Sequence, residues 1–387
     1  MGGELVTLFL AGDVMLGRGV DQILPHPGDP ALPEAYVTDA RTYVELAEAA
    51  NGTIARPVAF SWPWGEALAV LDAAAPDARI VNLETSVTQS DDVAPRKSIH
   101  YRMHPANLPC LAAARPAVCA LANNHVLDYG RRGLAETLDS LAAAGLRAAG
   151  AGRDLDQARQ PAAVPLPGTG HRRLLVFSLG TASSGVPHTW AATADRSGID
   201  FSDEASQTAA AEVTSRIRRV KRPGDLVVVS IHWGSNWGHS IPRDQVRFAH
   251  ALVDGGADAV HGHSSHHPRP IEVYRGHPVL YGCGDLIDDY EGIGGHEQYR
   301  DDLRLLYFVS LEPDTGRLDH ARLVPLQVHR MRLRHASGKD AEWLHEVLAR
   351  TSRTFGTRIT LGPKGTLTVH APQRGALGRT HRHPVTS

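Results

Sequence analysis

Cysteine is scarce in this chain, and the three that occur, Cys110, Cys119 and Cys283, stand far apart with no Cys-x-x-Cys among them. That excludes a disulfide framework and a cysteine-built zinc finger, and assigns the three thiols to small buried apolar positions. No apolar run reaches the ~20 residues of a membrane-spanning helix. The start, Met1-Gly2-Gly3-Glu4, puts no basic leader ahead of the short apolar run 5–11, so a soluble, cytoplasmic chain without a membrane anchor is expected. Charge is nearly balanced, 40 Lys+Arg against 42 Asp+Glu. No global field therefore draws the protein to nucleic acid, and an anionic partner must be held locally. No glycine fingerprint follows the first apolar run, which sets aside a dinucleotide-binding protein, and no internal repeat is evident.

What the chain does contain is a series of short apolar runs, each delivering a polar group where it stops. Strands are expected at 5–11, 79–83, 116–121, 148–152, 173–179, 225–231, 257–260 and 278–282, with 304–311 and 322–328 as a late antiparallel pair that makes the sheet mixed. Helices are expected at 39–50, after Trp62-Pro63-Trp64, up to Ala144, at 203–221, at 242–255 with Pro at its first turn and Gly-Gly at its end, and at 340–350. The proline-rich stretch 21–61 reads as a lid-like insertion or substrate wall. Residues 1–362 form one α/β domain in this reading, and 363–387 a loosely ordered tail.

Ligands gather where the strands of α/β sheets end. The groups found there are Asp13, Glu84, Asn124-His125, His232 and the run His261-Gly262-His263-Ser264-Ser265-His266-His267. Carboxylates, a carboxamide and imidazoles arriving on successive strand ends are what a two-metal site needs. Arg18 follows Asp13 in the same loop, and Lys97, His100 and Arg102 form a cationic and aromatic cluster that could bind an anion.

This ordered set resembles the bacterial capsule synthesis protein family, the CapA-type poly-γ-glutamate synthesis proteins, a branch of the calcineurin-like metallophosphoesterase superfamily. The match is carried by Gly12-Asp13-Val14-Met15-Leu16-Gly17-Arg18, Asn82-Leu83-Glu84, Asn124-His125 with Asp128 and Gly130, His232-Trp233-Gly234, Gly262-His263 with His266, and the strand end Tyr281 to Asp285. The resemblance implies a four-layer α-β-β-α sandwich of two mixed sheets with two divalent ions (Mn, Fe or Zn) at the strand ends. It implies that Asp13 and His266 hold one ion, that Asn124, His232 and His263 hold the other, and that Glu84 bridges them. His125 would be an outer-sphere histidine oriented by Asp128, while His261 and His267 would pack or support the ligands from behind.

The implied activity is water-driven hydrolysis of a phosphoester or a γ-glutamyl-type amide in an anionic small molecule or poly-γ-glutamate-like polymer. The alternative is a non-catalytic polyanion-binding component of a polymer-synthesising complex. Three positions depart from the family pattern: Met15 stands where the superfamily has the histidine of Asp-x-His, Asn236 where a Glu is frequent, and Asp285 where Gly-Asn-Phe is usual.

Overall fold

Two mixed β-sheets organise the computed structural model, which describes residues 4–166 and 171–370. The elements that place the site are, in chain order, β1 (Val6–Val14), α1 (Arg18–Ile23), α2 (Arg41–Asn51), β2 (Ala78–Leu83), β3 (Val118–Ala120), α3 (Gly130–Ala143), β4 (Arg147–Ala149) and β5 (Arg173–Thr181). They continue with α4 (Gln207–Val220), β6 (Leu226–His232), α5 (Arg243–Asp254), β7 (Ala259–His263), β8 (Ile271–Tyr274), β9 (His277–Leu280), β10 (Asp285–Ile287), β11 (Leu303–Leu311) and β12 (Leu318–Val328). Last come α6 (Gly338–Ser352), β13 (Arg358–Leu361) and β14 (Leu367–His370).

The first sheet runs β13-β14-β12-β11-β1-β2-β3-β4, and β10 pairs parallel to β1 beyond the end of β11. In the second sheet β5, β6, β7 and β9 are neighbours in that order, with β8 antiparallel at the edge. Period-two alternation sorts the side chains. Leu8, Leu10, Ile80, Val176, Val228 and Ala259 form one apolar cluster that draws on both sheets. Phe9, Val81 and Leu121 turn the other way onto Val44, Ala47 and Leu134 of α2 and α3. Phe177, Val229 and Val260 pack on Val213 of α4 and Phe248 of α5. Each fully buried Val, Leu or Phe contributes roughly 1.5–3 kcal/mol of transfer free energy, so the two-faced burial of these strands is the main force that aligns their ends.

Three expectations change. The first strand does not stop at residue 11 but runs on to Val14, because its last residues find a second partner in β10 (Asp13 opposite Asp285). Gly12 is required there: a Cβ on it would sit 1.7 Å from the Gly284 carbonyl oxygen. Likewise β7 extends to His263, so His261 and His263 are alternate residues of a strand rather than loop residues, on the Ala259 side that meets the first sheet. The tail expected from residue 363 is ordered as far as His370, where β14 adds to β12 as an antiparallel strand; 371–387 lie outside the described residues.

The 21–61 stretch is built into the molecule, with Tyr43, Val44, Ala47, Ile54 and Val58 buried in the cluster around Phe9. Among the described residues no helix is long and apolar enough to cross a membrane.

Candidate metal centre

The close approach of Gly12 to Gly284 sets Asp13 and Asp285 side by side on parallel strands, with the Asp13 N–H donating to the Gly284 carbonyl at 3.0 Å. Asn82, opposite Asp13 on β2, donates its amide to Asp13 Oδ1 at 2.7 Å, and the Ser264 N–H reaches Oδ2 at 3.2 Å. Glu84 follows β2 and brings a carboxylate oxygen within 4.8 Å of those of Asp13 and Asp285. Burial, with the charge of Asp285, raises Asp13 to about 7, and burial with the charges of Asp13 and Asp285 holds Glu84 well above the usual carboxylate range. Carboxyl groups pressed together out of water bind either protons or a cation.

Two donor sets emerge. Asp13, His232 and His263 form one and Asp13, Glu84 and Asp285 the other, with one ligand-type atom from each residue lying within 4.8 Å of the others in its set. Asp13, rather than Glu84, is common to both, although Glu84 Oε1 is 3.5 Å from His232 Nε2. Asn124 joins the first set, its side-chain oxygen 3.0 Å from His232 Nε2. A mixed nitrogen and carboxylate set beside a carboxylate set fits two adjacent divalent ions.

The histidine tautomers follow from a chain of contacts. Burial lowers His261 to about 4 and holds His263 and His232 well below their ordinary value, so all three rings are neutral near pH 7. His261 Nε2 lies 2.7 Å from the Ala11 carbonyl, which only accepts, so that nitrogen carries the proton. His261 Nδ1 then accepts the Ser230 hydroxyl proton at 3.1 Å, and Ser230 Oγ in turn accepts from His263 Nε2–H at 2.9 Å. His263 Nδ1 is left as the unprotonated nitrogen, 2.8 Å from its partner His232 Nδ1 and 3.9 Å from Asp13 Oδ1. Of the two roles expected for His261, packing or supporting a ligand, these contacts favour the second, because they set which nitrogen of His263 is left to bind a metal.

Above these groups opens a cavity of about 240 Å³, lined by Glu84, Lys97, Tyr101, His125, His266 and Tyr290 among others. The loop that carries His125 is braced by Asn123, whose side-chain oxygen accepts the backbone N–H of His125 (3.1 Å) and of Val126 (3.0 Å). His125 Nδ1 is 2.6 Å from Asp128 Oδ2, and its ring stacks on Tyr101 at 3.7 Å. Nε2 is left towards the site, 3.9 Å from Glu84 Oε1. Burial and the neighbouring Lys97 charge keep His125 neutral. Asp128, raised by burial to about 6, pairs with Lys97, whose Nζ also contacts the Asn124 carbonyl and His125 Nδ1.

The cationic cluster expected to face a substrate is largely committed elsewhere. Arg18 is buried, paired with Asp289, and lies 3.6 Å from the centre of the Tyr43 ring. His100 is buried, donating its backbone N–H to Glu34 with Nε2 3.2 Å from the Ala94 carbonyl. Arg102 donates to Asp91 and to the Ser90 carbonyl. None of the three lines the cavity; of the four expected residues only Lys97 does. Tyr101 belongs to the cationic and aromatic stretch 96–102, whereas no local signal in the chain marks Tyr290 or Ser230, since they matter through contacts with distant residues.

A family model described as bacterial capsule synthesis protein matches residues 7–290. The chain is 55% identical over 368 residues, 95% of its own length and 96% of the relative's, to a "Probable polyglutamine synthesis accessory protein" of Mycobacterium tuberculosis. It is 25% identical over 332 residues to the "PGA biosynthesis protein CapA" of Bacillus subtilis, covering 84% of this chain and 72% of that one. Among solved structures, a Thermus thermophilus crystal structure aligns with 82% of this chain and 98% of its own at 11% identity and a TM-score of 0.36, which carries no argument. By the extent of the family match and the mycobacterial likeness, the chain belongs to the bacterial capsule synthesis protein family.

Proposed function

We propose that this chain is a metal-dependent hydrolase of the calcineurin-like type, a four-layer sandwich whose strand ends hold two divalent ions. Its substrate in this reading is an anionic phosphoester or γ-glutamyl-type amide connected with poly-glutamate synthesis. The observation that carries it is the pair of buried donor sets sharing Asp13, at the base of a cavity onto which neutral His125 opens. Apolar clusters between the sheets and on their outer faces support the sandwich.

Bound ions would supply Lewis acidity and a water nucleophile near neutral pH. Asp13, Glu84, Asn124, His232 and His263 would hold them, with Ser230 and His261 fixing the His263 tautomer. His125, held in place by Asp128 and Tyr101, takes a proton at Nε2 as water attacks and returns it to the leaving group. Lys97 keeps that histidine neutral at rest.

The test is elemental analysis of the purified chain coupled to a screen of phosphomonoesters, phosphodiesters and poly-γ-glutamate. Stoichiometric transition metal and turnover that both collapse in His232→Ala are expected; a chain without metal, or a variant that keeps full metal and turnover, refutes the proposal. A second reading, a non-catalytic polyanion-binding component, is favoured by the likeness to the mycobacterial protein, named as a polyglutamine synthesis accessory protein. His125→Ala separates the two: an enzyme loses turnover, whereas a binding component keeps its polyanion affinity and never turned substrate over.

A further inference from the structure

We propose that Asp285 is itself a ligand of one of the two ions, completing an all-oxygen set with Asp13 and Glu84, and that His266 supports Asp285 rather than binding the ion. This rests on the dinuclear reading above. Asp285 stands directly opposite Asp13 in the β1–β10 register, and its carboxylate, with those of Asp13 and Glu84, falls within the 4.8 Å span of a coordination sphere. All three residues are at least 95% buried, with Asp13 1%, Asp285 4% and Glu84 5% exposed. Three carboxyl groups thus converge on one buried point, the arrangement an oxygen-ligated divalent ion takes.

His266 has no nitrogen to spare. Its Nδ1 is 3.0–3.1 Å from both Asp285 oxygens, and its Nε2 is 2.9 Å from the side-chain amide of Asn236, whose backbone carbonyl also accepts the His266 N–H at 3.0 Å. With Nδ1–H donating to Asp285 and Asn236 donating to Nε2, both ring positions are used. The geometry is that of a histidine orienting a carboxylate ligand. The two halves of the centre then differ in chemistry. The carboxylate half suits a hard ion such as Mn²⁺ or Mg²⁺, and the half with His232 and His263 suits Zn²⁺ or Fe²⁺.

The experiment titrates the metal-free full chain with Mn²⁺ and Zn²⁺, counting bound ions by elemental analysis and following Mn²⁺ by EPR. The wild type is expected to hold two ions, one of each kind from an equimolar mixture. Asp285→Asn should keep the Zn²⁺ and lose the Mn²⁺ site, with affinity down by more than about 100-fold, whereas His266→Ala should still hold two ions with Mn²⁺ weakened by about 10–100-fold at most. An Asp285→Asn chain that binds both ions as the wild type does, or a His266→Ala chain that loses one while Asp285→Asn does not, overturns the assignment.

If Asp285→Asn fails to fold, pulsed EPR of Mn²⁺ in the wild type decides. Absence of imidazole-nitrogen coupling supports the all-oxygen set, and its presence refutes it. A wild type that binds no ion at all would instead sink the dinuclear reading itself.

Discussion

Replacing Ser230 by alanine removes one hydroxyl that touches no metal, and it should nevertheless weaken metal binding. Ser230 Oγ links His261 Nδ1 at 3.1 Å to His263 Nε2 at 2.9 Å, in a pocket where Ser230, His261 and His263 have no exposed surface. Without it the His261 lone pair and the His263 N–H are both buried and unpaired, each costing about 1–3 kcal/mol. His263 escapes part of that cost by moving its proton to Nδ1, where the Asp13 carboxylate is 3.9 Å away, and in doing so it blocks the nitrogen a metal would use. Outer-shell partners of this kind are worth about 10–100-fold in affinity, roughly 1.4–2.7 kcal/mol. Isothermal titration of the metal-free protein with Zn²⁺ reads the change, and Ser230→Thr, which keeps the hydroxyl, should restore most of it. Equal Zn²⁺ affinity in wild type and Ser230→Ala would refute the tautomer chain.

In the metal-free protein Asp13 and Asp288 are raised by burial to about 7, so their contribution to stability is lost as pH rises through 7. His232, His261 and His263 are lowered by burial, so theirs is lost as pH falls below the ordinary value of 6.5. Tm should therefore peak near pH 6.5, and added Zn²⁺ should raise it more at pH 8 than at pH 5, on the order of the linkage expected for ligands that must shed protons; an apo Tm still climbing between pH 7 and 8 contradicts this. Arg18→Ala leaves Asp289 buried without its partner and should destabilise by about 3–5 kcal/mol in denaturant melts. Arg102→Ala, whose Asp91 partner is 88% exposed, should cost no more than about 1 kcal/mol and leave KM unchanged. Gly12→Ala drives a methyl into the Gly284 carbonyl and should cost about 1–3 kcal/mol together with much of the metal affinity. A variant with wild-type Tm would show that the two strands can part freely.

The strand-end logic is legible because continuous apolar runs such as 226–229 are buried on both faces and can be little else. Asp13, Glu84, Asn124, His125, His232 and His263 stand out for that reason, and the structure gathers them around one cavity or its floor. The errors share a cause. Reading Arg18, His100 and Arg102 by charge and by closeness in sequence overlooks that a cation's partner is chosen by the fold, and for Arg18 it is Asp289, 271 positions away. Which supporting part His261 plays is not legible either, since it depends on a register between β6 and β7 that pairs Ser230 with His261. The order of residues 363–370 depends on a β12 edge that no local pattern in the tail reveals.

The pairing of β1 with β10 also has a bearing on synthesis. The strand that stands opposite Asp13 and the strand β11 that flanks the same edge of β1 are made some 270 to 300 residues after Asp13 itself. A nascent chain therefore carries its carboxylates and histidines as separate, weak ligands until that edge closes, and long-range pairings of this kind form slowly. If the centre holds ions as proposed, their capture would act as a checkpoint on completion of the first sheet, since a chain interrupted before Asp285 has the histidines of β6 and β7 without the facing carboxylate of β10.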